Sequence, residues 1–162
     1  MSCIVADTGP LIALAKVDLL MLPQRAFGRV VMPQTVLGEC LAQALQPDAT
    51  AIRHAVDKNL LAVEAVPAWP AEVPKPRLDE GEAAALALAL RLQAPVLMDE
   101  LRGRKIAQRL GIHVVGVCGL LLFGKREGWL PEVAPLLVTL REKGYFISAG
   151  LQSAVLHAAG EG

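Results

Sequence analysis

Six aromatic residues, three cysteines and three histidines are all that a chain of 162 residues contains. Each scarcity excludes something. Cys3, Cys40 and Cys118 are odd in number and share no CxxC spacing, so neither a disulfide framework nor a zinc site is indicated, and all three read as small core residues. His54, His113 and His157 show no ligand spacing either. With so few aromatics, base stacking cannot be a major source of affinity for nucleic acid. Apolar runs such as Ala83 to Leu90 fall well short of the roughly 20 residues that cross a bilayer, so no membrane association is expected. The N-terminal Met-Ser-Cys-Ile-Val-Ala-Asp has no basic region and reaches a carboxylate before a signal core could form, which points to a cytoplasmic protein.

Net charge is also lacking, at +0. The balance conceals an asymmetry. Residues 1–90 hold 7 Lys/Arg against 10 Asp/Glu, and residues 91–162 hold 9 against 6. An acidic front half and a basic back half suit carboxylates that hold cations beside basic groups that meet phosphates, although solvated faces give the same pattern. What is abundant is apolar: 54% of the residues are hydrophobic, enough to fill the core of a single domain over 1–162.

Strand-like and helix-like stretches alternate along the chain. Cys3 to Ala6 reads as a strand, Asp7-Thr8-Gly9-Pro10 as a turn, and Leu11 to Val17 as a helix with Pro10 at its start. Arg29 to Met32 is a second strand, followed by helices from Pro33 to about Leu45 and from Asp48 to Asn59, then a strand from Leu60 to Val66. Pro67 to Pro76 carries four prolines and reads as a loop. Asp79 opens an Ala/Leu-rich helix ending near Gln93. Pro95 to Met98 is a buried strand, Leu101 to Leu110 a helix and Ile112 to Gly116 a strand, and about 118–160 is helical. Strands separated by helices imply an α/β fold, a three-layer α/β/α sandwich around a parallel sheet, with ligands at the carboxyl ends of the strands.

The positions of the acids then become informative. Asp7 ends the first strand and Asp99 ends Val96-Leu97-Met98, so both emerge at one edge of the sheet. Glu39 lies early in the helix after the second strand, and Glu82 in the first turn of the helix after the third. A carboxylate ending an apolar strand is desolvated on one side and costly without a partner, which favours function for Asp7 and Asp99. Glu82 is open to two readings, since Asp79-Glu80-Gly81-Glu82 is also the pattern of a capping box. Glu80 is about 200° away from Glu82 around the helix, so only one of them faces a cleft; Glu82 is chosen and Glu80 is the alternate. Glu39 sits off the Leu37, Leu41 and Leu45 stripe, and periodicity leaves open whether it is exposed or at a cleft rim. Asp99-Glu100 poses a similar choice, taken in favour of Asp99 because it comes first after the strand.

Clustered carboxylates repel one another, and Mg²⁺ or Mn²⁺, bound by hard oxygen ligands, relieves the repulsion. Such a cation activates water and stabilises charge on a phosphate oxygen, so phosphodiester hydrolysis is the chemistry expected. Thr8 offers a hydroxyl to the water or the phosphate, or simply caps a helix. Arg102, Lys105 and Arg109 follow at i, i+3, i+7, a stripe that grips phosphates without reading bases, or an ordinary solvated face. In the last third, Tyr145-Phe146 precedes an amphipathic segment with Leu151, Val155 and Leu156, which suits either the core or a contact with another chain.

The stretch Val5-Ala6-Asp7-Thr8-Gly9-Pro10-Leu11-Ile12-Ala13-Leu14, then Val31-Met32-Pro33 with Glu39, Gly81-Glu82-Ala83, and Leu97-Met98-Asp99-Glu100 with Gly103-Arg104, resembles the PIN-domain superfamily. The resemblance is to its VapC-like DUF3368 branch and covers nearly the whole chain. It implies Mg²⁺- or Mn²⁺-dependent cleavage of single-stranded RNA, Asp7, Glu39, Glu82 and Asp99 as the metal-binding acids, and commonly a toxin controlled by an antitoxin; a homodimer is expected from the apolar C-terminal segment. There are two departures. PIN domains usually carry Asp where Glu82 stands, and relatives in this branch often read Gly-Thr-Leu-Gly where this chain has Gly116-Val117-Cys118-Gly119. These motivate the alternative of a non-catalytic module that binds RNA or a protein partner.

Overall fold

The computed structural model describes residues 2–66, 69–74 and 77–162. Along the chain run β1 (Cys3–Ala6), α1 (Thr8–Lys16), α2 (Leu22–Phe27), β2 (Arg29–Pro33), α3 (Gln34–Gln43), α4 (Gln46–Asp57) and β3 (Ala62–Glu64). There follow α5 (Glu80–Leu92), β4 (Val96–Leu97), α6 (Leu101–Arg109), β5 (Val114–Val115), α7 (Val117–Arg126), α8 (Ala134–Glu142) and α9 (Ala149–Ala158). The five strands form one parallel sheet in the order β3-β2-β1-β4-β5. A parallel pair needs a crossover, and the helices supply it.

Side-chain alternation divides the core in two. Ile4, Ala6, Val30, Met32 and Leu97 face a cluster completed by α1, α3, α4 and α7–α9. Val5, Val31, Val96 and Met98 face the opposite cluster, completed by α5 and α6. Helix α5 is buried from Gly81 to Ala89, and its alanines let it lie close on the sheet. The result is a three-layer α/β/α sandwich.

Most elements fall where the sequence puts them, with shorter strands. Helix α1 starts at Thr8 rather than Leu11, directly after Asp7. Helix α2 was not legible: six residues with Pro23 in the first turn are too few to show a period. Of the proline loop, residues 69–74 hold a turn closed by the Val73 amide donating to Pro70 O, while Pro67, Ala68, Lys75 and Pro76 lie outside the described residues. No helix among the described residues is long and apolar enough to cross a membrane.

Candidate active site

Asp7 sits at the N-cap position of α1 but makes no capping hydrogen bond, so helix capping does not account for it. It is 6% exposed. Burial, and then the charges of Asp79, Glu82 and Glu39, push its carboxyl up to about 7, against the Thr8 amide, which lowers it. Three acids from three other chain positions thus reach Asp7.

Each of those acids is held in place. Thr8 Oγ1 donates to Glu39 Oε1 at 2.7 Å, and the Gly81 amide donates to Glu39 Oε2 at 3.0 Å. This close seat depends on glycine, since a Cβ at Gly81 would overlap the Glu39 carboxylate. Asp79 and Glu82 form the capping box that the sequence allowed: the Glu82 amide donates to Asp79 Oδ1 at 2.7 Å, and the Asp79 amide to Glu82 Oε1 at 3.1 Å. The second oxygen is different. Glu82 Oε2 is buried without a hydrogen-bond partner, in a residue only 4% exposed. Burial raises the Glu82 carboxyl above the usual range. Gly103 lies close to that oxygen: a Cβ there would stand 3.3 Å from it and would overlap the Met98 sulfur.

Val5 pairs with Val96 and Ala6 with Leu97, which brings Asp7 level with Met98, one residue before Asp99. The Val117 amide, at the start of α7, donates to Asp99 Oδ1 at 2.9 Å, and the Tyr145 hydroxyl makes a short hydrogen bond to Oδ2. Burial raises the Asp99 carboxyl despite these donors, and burial with the Asp99 charge raises the Tyr145 phenol far above its ordinary range. Arg104 donates to Met98 O at 2.8 Å and adds its charge beside Asp99. Of Asp99 and Glu100, it is Glu100 whose charge, after that of Asp79, raises the Glu82 carboxyl.

Arg102, Lys105 and Arg109 are all exposed on α6. Arg102 donates to Arg77 O at 3.1 Å and its charge lowers the Glu82 carboxyl, so that end of the stripe adjoins the acids. Glu80 is exposed and stays outside the set. Among the described residues, no three His, Cys, Asp or Glu side chains already stand at metal-ligand geometry.

A parallel α/β/α sandwich with acids at the carboxyl edge of its central strands is the PIN type of domain, and the family comparison agrees. The chain belongs to the DUF3368 family of PIN domains, whose model matches residues 3–161. PIN domains are generally nucleases and generally use divalent metals. Among solved structures, the chain is similar to a PilT N-terminus domain protein of the hyperthermophilic archaeon Sulfolobus solfataricus P2. That likeness has a TM-score of 0.56 and 18% identity over 74% of this chain and 90% of the other, which bears on the fold alone. No curated protein matches the chain at a significant level.

Proposed function

We propose that the protein is an Mg²⁺- or Mn²⁺-dependent endoribonuclease acting on single-stranded RNA, and the toxin of a toxin–antitoxin pair. The observation that carries this reading is Glu82 Oε2, a buried carboxylate oxygen without a donor beside Asp7. An orphaned buried oxygen among mutually repelling acids fits a hard divalent cation. Asp7 and Glu82 would hold the ion, with Glu39 next to them. When bound, it neutralises the carboxylates and acts as a Lewis acid toward a phosphodiester oxygen.

The chain's own residues do the positioning. Thr8 and the Gly81 amide fix both oxygens of Glu39, and the Asp79 amide fixes one oxygen of Glu82 and leaves the other aimed inward. Arg102 lies beside the acids, with Lys105 and Arg109 one and two turns further on, where phosphates of a bound strand would pass. Asp99, the fourth acid of the rim, also holds the start of α7.

Purified protein should cleave single-stranded RNA with Mn²⁺ or Mg²⁺ and not in EDTA. Asp7→Asn and Glu82→Gln should lower the rate at least a hundredfold with the circular dichroism unchanged. Full cleavage by both variants overturns the reading. The toxin role predicts that expression of the chain alone arrests growth and that Asp7→Asn relieves the arrest. A homodimer and an antitoxin belong to the same reading, and Val138, 48% exposed on α8, is apolar surface for such a contact. One observation favours the non-catalytic alternative: both oxygens of Glu39 are already satisfied within the chain. RNA binding that persists unchanged in Asp7→Asn, with no cleavage by the wild type in either metal, would decide for it.

A further inference from the structure

Six aromatics are too few for stacking along a strand, yet four of them, Phe27, Phe123, Tyr145 and Phe146, are gathered in one place and line a cavity of about 1170 Å³, so that a single base could stack there. It runs along β5, the edge strand of the sheet, between α7 and the segment that joins α8 to α9. Asp99 and Glu100 form part of its wall, and the charge of Glu100 reaches Glu82 around the end of β4. The cavity therefore lies at the carboxyl edge of the sheet, beside the carboxylates, and shares Asp99 and Glu100 with that rim. At its mouth Phe146 is 85% exposed, which leaves the ring free for a contact from outside. Polar groups interleave with the rings: Arg126 lies over the Phe123 ring at 5.4 Å, and His113 and Ser148 are in the wall.

We propose that this cavity is a nucleobase subsite, which takes an unstacked base of single-stranded RNA next to the phosphodiester at the acids and thereby sets which nucleotide is cleaved. The proposal rests on the nuclease reading above. Aromatic faces, guanidinium planes and a few hydrogen-bonding groups are what recognise splayed-out bases in single strands. The volume lies somewhat above the roughly 300–1,000 Å³ of ordinary ligand pockets, with room for a base and part of its neighbour. A peptide strand added to the sheet edge fits less well, because β5 offers only Val114 and Val115 for pairing.

The test is binding of fluorescent single-base tetraribonucleotides and an abasic control to the full chain in EDTA, where no metal-dependent cleavage occurs. The wild type should bind one base at least tenfold more tightly than the abasic strand. Phe146→Ala should weaken that binding by roughly tenfold and level it with the abasic control, since each base–aromatic stack contributes about that much. Phe146→Tyr should restore the preference, and Leu45→Ala, which removes an exposed apolar side chain elsewhere, should leave it unchanged. Equal binding by wild type and Phe146→Ala overturns the subsite, even if RNA is cleaved with metal. So does a Phe146→Ala protein that changes only its sedimentation mass, which would make the face a contact between copies. A base preference that depends on Phe146 in a protein that cleaves nothing upholds the subsite and counts only against the nuclease reading.

Discussion

At the scale of single residues, glycine decides where the carboxylates sit. Gly81 occupies the first turn of α5, where alanine is the better helix former by about 1 kcal/mol, yet a Cβ there would overlap Glu39. Gly81→Ala is therefore expected to keep or slightly raise the melting temperature while Mn²⁺ affinity, measured by calorimetry, falls about tenfold or more. Asp7 gives a second prediction, with a definite sign. Its folded value of about 7 lies above the ordinary 3.8, so the folded chain binds the proton more tightly than the unfolded one. Its contribution to stability is then most favourable below about pH 4 and declines as pH rises toward 7, by roughly 1.4 kcal/mol per unit at most. Metal-free wild type should melt at a lower temperature at pH 8 than at pH 5. Asp7→Asn should lose most of that slope and melt higher at pH 8, as should wild type saturated with Mn²⁺. An unchanged slope in Asp7→Asn would show that the burden lies elsewhere. Asp7 itself was legible because an acid ends an apolar strand. The spare oxygen of Glu82 was not, because only the folded chain brings Gly103 and Met98, distant in sequence, up to it.

At the scale of elements, the structure gives Asp99 partners that sequence order could not reveal. Asp7 and Asp99 follow neighbouring strands at the centre of the sheet, where Val5 pairs with Val96. Asp99 ties β4 to the start of α7 and to Tyr145 beyond α8. Tyr145→Phe removes a donor from a half-buried carboxylate, and urea unfolding should show a loss of about 1–3 kcal/mol. Metal affinity at Asp7 and Glu82 should stay within about twofold, since Tyr145 donates to Asp99 and to neither of them. The long elements were readable from composition: the alanines of α5 and the Val/Ile/Met runs of β1 and β2 follow their periods. Helix α2 is shorter than any period that could announce it, whereas β4 and β5 were readable as apolar runs over 95–98 and 112–116 and only their length, two residues each, was not.

For the molecule as a whole, closure depends on a residue near the C-terminus. Glu161 accepts from the Val133 and Ala134 amides at 2.8 Å each, at the start of α8, and pairs with Lys125 Nζ of α7 at 2.7 Å. These donors lower its carboxyl to about 2, so its stabilisation is complete above the ordinary value of 4.5 and is lost as pH falls through that window toward 2. Glu161→Gln should lower the melting temperature at pH 7 and speed amide exchange at the start of α8, with a smaller difference from wild type at pH 3. Alternation of strands and helices made the sandwich readable, but it could not show that aromatics at positions 27, 123, 145 and 146 meet, because only the assembled helices bring them together. They come from α2, α7 and the α8–α9 connection, whereas Asp7 follows β1 and Glu39 and Glu82 belong to α3 and α5. The two groups share no element. Mutational drift can therefore reshape the aromatic chamber in one lineage and leave the acids untouched, so that duplicated genes for this chain can part ways in what they admit while the chemistry they inherit stays the same.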